Sequence, residues 1–388
     1  VACRAQALGL MPESTRPYLE RDIRWLLHSF GKEGACWGYR GQPNTKRVDN
    51  SLRQYAALAL WAGEQRGVRV PLLVWSALEE RLLEEQRSDG GWGYNATDRP
   101  RSSMTLAALT ILAIAQDWLH SESAVQGNRG ALERNQAAVN RGLDWVDRYF
   151  DPKSNPSVGE EGIDDHGWWW YHAYCVERVA LATGRHRFGT HDWYRAIAAR
   201  MLELKFQRSD TGLVRNRHPL NTVDRAFALM FLSRGRIPVA INKLILDPQH
   251  TNRRPRDAAN WTEHLVQTTE EKLNWQRVTL DDPLEKWSQA PLLWLTGRGR
   301  CFPDHQKGSG EHHRISQARA VWRQQCARGT FASREAFLTA KANLPQPSNE
   351  QICQKMQTYL QCGGLLVASG DQLDRSFVAS IRQFGQRT

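Results

Sequence analysis

A glycine turn that closes on a tryptophan, Gln86-Arg87-Ser88-Asp89-Gly90-Gly91-Trp92-Gly93-Tyr94, separates two apolar helical segments. It constrains the fold more than any other stretch. Before it, residues 71–83 place apolar side chains at helical spacing, with Pro71 in a first-turn position and charges on the other face. Ser88, Asp89, Gly90 and Gly91 then stop the helix, because short polar side chains bond their own backbone and glycine accepts positive φ. Beyond a polar loop, Ser102, Ser103 and Thr105 offer N-cap hydroxyls to a second helix, 106–115, which is apolar nearly all round. Such a helix must be covered on several sides, so it is expected in an inner layer with the more charged helix outside it.

The same arrangement recurs four times. Helical residues 18–27 lead through Cys36-Trp37-Gly38-Tyr39 to the apolar segment 55–61, and the Trp-Gly-Tyr triplet returns at Trp92-Gly93-Tyr94. Residues 142–146 lead through the loop Asp164-Asp165-His166-Gly167 to Trp168-Trp169-Trp170-Tyr171-His172. Residues 193–198 lead through Gln207-Arg208-Ser209-Asp210-Thr211-Gly212 to 226–232, repeating the string Gln-Arg-Ser-Asp of residues 86–89. Recurrence at this grain marks stacked helical hairpins that bury one another's faces, in an open solenoid or a closed ring.

At 388 residues the chain is too long for one ordinary core. Its composition changes after Pro238, and two domains are expected, 1–237 and 238–388. In the second, residues 239–246, 276–280, 291–296 and 364–368 read as strands and 261–273 and 350–361 as helices, so a parallel α/β sheet is expected. Residues 304–348 form a polar, basic insertion, and Thr388 follows the fourth strand early enough that the sheet is expected to be truncated.

Gln86 to Gly93 resembles the Gln-Trp (squalene cyclase) repeat of the terpenoid cyclase and protein prenyltransferase superfamily. The likeness covers about residues 17–235 and implies an α/α toroid, open here because four hairpins are fewer than a closed ring of that family carries. Residues 239–385, with Asn252 to Asp257, Lys272 to Trp275, Leu280 to Pro283 and Cys362 to Gly364, are similar to an uncharacterised bacterial α/β domain that follows cyclase-like repeats in exported proteins. In outline that domain resembles class I glutamine amidotransferases and, more broadly, the flavodoxin-like sheets. The resemblance implies an exported or periplasmic protein.

The catalytic motifs of these families are degraded. The cyclase acid is an Asp-x-Asp-Asp run whose carboxylates share a proton; the nearest run, Gly162-Ile163-Asp164-Asp165, lacks its first acid. Asp164 and Asp165 remain the catalytic candidates, against their use as caps for the helix that follows. A prenyltransferase-type zinc site would draw on Asp164, His166, His172 and Cys175, but a His or Cys on an apolar helix is ordinarily core, and no metal or cofactor is expected. Trp37, Tyr39, Trp92, Tyr94, His166, Trp168, Trp169, Trp170, Tyr171 and His172 are candidate ligand contacts, able to line a hollow for an apolar, sugar or peptide ligand or simply to fill the hub. In the second domain Cys301 stands after a strand, but Pro303 occupies the position where a nucleophile elbow needs glycine. A ligand at the strand ends would meet Gly297, Arg298, Gly299, Ser369 or Gly370. Asp304, His305, Glu311, His312 and His313 have metal-ligand chemistry inside a polar insertion.

Net charge is +11, divided as +5 over residues 1–237 and +6 over 238–388, so no nucleic-acid face is indicated; Arg253-Arg254-Pro255-Arg256 reads as a solvated loop. Seven scattered cysteines with no CxxC pair give neither a disulfide framework nor a zinc knuckle. No apolar run is read as reaching the roughly 18 residues of a membrane span. The chain begins at Val1, as expected of a processed leader or a fragment. The functional expectation is a non-catalytic binding or scaffold module with an aromatic-lined cavity and a protein partner at the α/β domain; the alternative is an isoprenoid cyclase or transferase.

Overall fold

A computed structural model describes residues 1–31, 33, 35–41, 48–125, 129–159, 162–165, 167–209, 212–215, 221–234, 237–246, 252–298, 349–370 and 374–385, with scattered positions between 321 and 343. His166, Gly299, Cys301 and the insertion's Asp304, His305, Glu311, His312 and His313 lie outside the described residues. The chain divides into two compact units, 1–179 with 199–228, and 180–198 with 229–388.

The first unit is helical. Its elements are α1 (Ala2–Leu8), α2 (Arg16–His28), α3 (Asn50–Gln65), α4 (Leu72–Glu85), α5 (Ser102–Val125) and α6 (Gly130–Tyr149), followed by β1 (Pro156–Gly159), β2 (Gly162–Asp165) and α7 (Trp169–Thr183). The segment 180–198, which belongs to the second unit, carries the end of α7, β3 (Arg187–Phe188), β4 (His191–Asp192) and the start of α8 (Trp193–Lys205); the first unit resumes with the rest of α8, β5 (Phe206–Ser209), β6 (Gly212–Arg215) and the first half of α9 (Thr222–Arg234). Helices stand at the positions anticipated from all four repeats, and the first two pairs pack as hairpins, α2 on α3 and α4 on α5. They stack in order at the start: α2 packs on α3, α3 on α5, α4 and α6 on α5, and α4 on α6. The apolar helix α5 is therefore the inner one, with Leu106, Leu109, Ile111 and Leu112 all buried. Ser102–His120 is, against expectation, long and apolar enough to cross a membrane, and most of it is buried inside this unit.

The junctions differ from plain loops. Gly31 and Cys36 form an antiparallel bridge, and Arg87 N–H donates to Gly91 O at 3.0 Å across a turn in which Gly90 takes φ +95°. The third and fourth junctions are two-stranded antiparallel hairpins, β1 with β2 and β5 with β6. Asp164 and Asp165, expected in a loop, are thus in a strand, opposite Ser157 and Pro156. The physical reason is that this register sets the β-branched Val158 opposite the β-branched Ile163, a pair suited to a ladder.

The second unit holds a four-stranded, all-parallel sheet of β7 (Val239–Leu244), β8 (Asn274–Val278), β9 (Leu292–Gly297) and β10 (Leu365–Gly370), in the order β10-β9-β7-β8. These are the four strands anticipated. Helix α10 (Asp257–Thr269) follows β7, the short α11 (Leu284–Trp287) follows β8, α12 (Asn349–Gln361) precedes β10, and α13 (Arg375–Gly385) follows it. Side chains alternate across the sheet as strand geometry requires. Leu244, Val278, Leu293 and Leu295 pack with Trp287, Ile352, Met356, Tyr359 and Phe377 on one face, and Ile241 and Trp275 pack with Ala258 and Ala259 of α10 on the other. Because β7 pairs with both β8 and β9, the direction of winding reverses between β7 and β9, and the crevice outside their carboxyl ends is where sheets of this kind take ligands.

Candidate functional site

The corner tryptophans are structural pins. Trp37 is buried and donates from Nε1 to Leu26 O, in the last turn of α2, at 2.8 Å; Trp92 is buried and donates from Nε1 to Leu82 O, in the last turn of α4, also at 2.8 Å. Each indole thereby satisfies a carbonyl that the end of a helix leaves without an intrahelical donor. Between the two corners runs Arg53 of α3, fully buried. Its Nε donates to Ala35 O at 2.9 Å, and Nη1 donates to Asn50 Oδ1 at 2.8 Å and Glu85 Oε2 at 2.5 Å. Asn50 donates to Gly93 O at 2.9 Å, so one polar chain ties the first corner, α3, the end of α4 and the second corner. Of the Trp-Gly-Tyr tyrosines, Tyr39 is 69% exposed and donates to Asp49 Oδ2 at 3.3 Å, while Tyr94 is half-buried with the Arg101 guanidinium 5.0 Å from its ring centre.

The inner helices meet at Gln54. Its Oε1 accepts from Tyr171 Oη at 2.8 Å and from Cys175 Sγ at 3.4 Å, and its Nε2 donates to Thr110 Oγ1 at 3.2 Å. Rings of Tyr55, Tyr174 and Phe227 surround Tyr171 at centroid distances of 5.7, 6.4 and 5.8 Å. Burial raises the Tyr171 phenol well above its ordinary value and pushes the Cys175 thiol up to about 12, so neither ionises near neutral pH. His172 is fully buried, with Nε2 2.9 Å from Ser102 Oγ at the start of α5. His172 and Cys175 therefore engage different partners and do not converge. Among the described residues no three His, Cys, Asp or Glu side chains gather to hold a metal ion.

At the entry to α7, Gly167 and Trp168 both take positive φ, +75° and +54°. For a bulky residue this is an uncommon conformation. It leaves the Trp168 ring 71% exposed, while Trp169 donates from Nε1 to Pro152 O at 3.0 Å and meets Trp170 edge-on at 4.8 Å. Asp164 and Asp165 precede this turn on β2; their side chains lie outside the described residues. Of the aromatic candidates, then, Tyr39 and Trp168 are open to solvent, Tyr94, Trp169 and Trp170 are half-buried, and Trp37, Trp92, Tyr171 and His172 are internal.

In the second unit the carboxyl ends of β7 and β9 carry a polar group that sequence reading missed. Asp257, in the first turn of α10, accepts from Lys243 Nζ, from Trp294 Nε1 at 3.0 Å and from Thr296 Oγ1 at 2.8 Å. Lys243 is fully buried, and burial lowers its amine to about 8 despite Asp257. A second group stands beyond β8. Lys286 Nζ contacts the His186 imidazole, Arg277 O at 3.1 Å and Asp282 Oδ1 at 3.2 Å. Burial lowers Lys286 to about 8 and, with the Lys286 charge beside it, His186 to about 3, so the imidazole is a neutral acceptor at physiological pH. The sequence signals for these groups were a lysine in the buried run of β7 and the runs Asn252 to Asp257 and Leu280 to Pro283, which hold Asp257 and Asp282 but entered only as carriers of a resemblance. Gly297 and Gly370, expected near a ligand, end β9 and β10, and Arg298 reaches Asp374 at 3.8 Å.

No family model, curated protein or solved structure significantly matches this chain.

Proposed function

We propose that the chain is a non-catalytic binding or scaffold module, in which helical hairpins of cyclase-like outline present aromatic side chains to an apolar or sugar ligand. The observation that carries this reading is the mutual satisfaction of the inner polar residues. Gln54, Thr110, Tyr171 and Cys175 hydrogen-bond one another, and Ser102 is spent on His172. Acid or thiolate chemistry needs a group held ionisable and open to substrate, whereas burial pushes Tyr171 and Cys175 the other way. The ligand-facing part is then Trp168 with the half-buried Trp169 and Trp170, since an exposed indole offers area at little entropic cost.

The test is incubation with labelled polyprenyl substrates, wild type beside Asp165→Asn, followed by product analysis. No turnover in either is expected, and turnover lost in the variant overturns the reading. In parallel, quenching of tryptophan emission by polyprenols and oligosaccharides is compared in wild type and Trp168→Ala. Binding weakened at least several-fold by the substitution supports the ligand assignment; identical responses overturn it.

A further inference from the structure

The turn into α7 is built against the preferences of its own residues. Trp168 stands immediately before the helix, and its carbonyl accepts the first helical hydrogen bond, from His172 N–H at 3.0 Å. That place favours Ser, Thr, Asp or Asn, whose side-chain oxygen would bond a free N–H of the first turn; an indole supplies none. Trp168 also takes φ +54°, a left-handed conformation that suits glycine or asparagine and strains a bulky side chain. Packing does not compensate, since the residue is 71% exposed and a Cβ at the neighbouring Gly167 would meet no atom within 4 Å. Strain that burial does not explain is characteristic of positions held for function.

The flanks of Trp168 are fixed. Asn155, fully buried, donates from Nδ2 to Gly167 O at 2.8 Å and accepts from Ser103 N–H at 3.0 Å, and Trp169 donates from Nε1 to Pro152 O at 3.0 Å. The backbone of Trp168 is therefore held beside the loop 151–155. That loop is polar: Asp151 accepts from Lys153 N–H at 3.0 Å and from Ser154 Oγ at 2.7 Å, and Lys153 is exposed.

Apolar and sugar ligands differ in what they ask of such a place. A polyprenyl chain gains affinity from surface removed from water on all sides, hence from an enclosed apolar hollow. One open indole beside a polar loop covers a single side of it. A pyranose ring with equatorial hydroxyls has an apolar C–H face and a polar rim, so the face stacks on an indole while the rim stays hydrated or meets charged and hydroxyl groups. The inner rings Trp37, Trp92 and Tyr171 are buried and donate to protein acceptors, which leaves Trp168, with the half-buried Trp169 and Trp170, as the open aromatic surface at this end of α7.

We propose that Trp168, on its strained turn beside Asp151, Lys153 and Ser154, is the stacking platform of a carbohydrate site for pyranose units with equatorial hydroxyls, as in β-linked glucose or N-acetylglucosamine chains. Such a site rests on the reading of the chain as a binding module and narrows its ligand to a sugar.

The test titrates the full chain, by calorimetry, with cellohexaose, chitohexaose and farnesol, for wild type, Trp168→Asn, Trp168→Tyr and Trp261→Ala, and records the thermal unfolding of each without ligand. Wild type is expected to bind at least one of the two sugars. Trp168→Asn is expected to weaken that binding by about tenfold or more. The same variant is expected to melt no lower than wild type, because asparagine accepts the left-handed turn and caps the helix. Trp168→Tyr, which keeps an aromatic face, should bind within a few-fold of wild type, and Trp261→Ala, which removes a 47% exposed indole from α10, should bind as wild type does. Sugar binding unchanged in Trp168→Asn, or a midpoint well below wild type in that variant, overturns the proposal. Farnesol binding that depends on Trp168, without sugar binding, overturns the sugar assignment and leaves the binding module standing; binding of none of the three overturns both.

Discussion

Replacing Arg53 by methionine tests whether the two corners are held by the polar chain between them. Arg53 and Glu85 are both buried, their closest N–O distance is 2.5 Å, and Arg53 also supplies the donors for Ala35 O and Asn50 Oδ1. Removing one partner of such a pair typically costs about 3–5 kcal/mol, because a charge is left buried. Here Glu85 keeps Arg81 Nε at 3.0 Å, which moves the loss toward the lower end. The unmatched carbonyl of Ala35 adds about 1 kcal/mol or more in the other direction. A net loss of about 4 kcal/mol is expected for Arg53→Met.

Urea unfolding followed by far-UV circular dichroism measures it. With a slope of about 2–3 kcal/mol per molar, the midpoint of the helical transition falls by about 1.5 M or more. The double variant Arg53→Met/Glu85→Met supplies the control, since removing both charges from an apolar setting is often close to neutral. It is expected to recover at least half of the single-variant loss, a coupling that residues in separate networks would not show. A single-variant loss below about 1 kcal/mol, or a double variant whose losses merely add, would refute the assignment of Arg53 as the tie between corners.

Three further outcomes follow from the geometry. Trp92→Phe removes the donor to Leu82 O and leaves that buried carbonyl unmatched, at a cost of about 1–3 kcal/mol in the same urea assay, whereas Trp168→Ala, at an exposed position, stays within about 0.5 kcal/mol. Burial lowers Lys286 from 10.5 to about 8, so between those pH values the unfolded chain holds a proton that the folded chain does not. Stability from this group therefore rises with pH across that window, and Lys286→Met should show a flatter rise of the urea midpoint. Alkylation of the native protein read by mass spectrometry should mark Cys3 and Cys362, which are exposed, before Cys36 and Cys175, whose burial raises the thiol pKa.

What could be read from the sequence was what repeats or alternates locally. The glycine–tryptophan corners, the apolar inner helix and the four strands each announce themselves within about ten residues, because turn chemistry and side-chain period are local properties. The hydrogen bonds that decide the chemistry are not local. Tyr171 meets Gln54 from 117 positions away and Arg53 meets Glu85 from 32, and neither Gln54 nor Arg53 differs in sequence from a residue on a wet helix face. Arg253-Arg254-Pro255-Arg256 was expected to be a solvated loop, yet Pro255 is buried and the three arginines are half-buried where α10 begins. Charge in a short polar run is ambiguous until the fold shows what stands opposite it. Arg256 donates from Nη1 to the Ala182 carbonyl, 74 positions back in the chain, a partner that no local pattern announces.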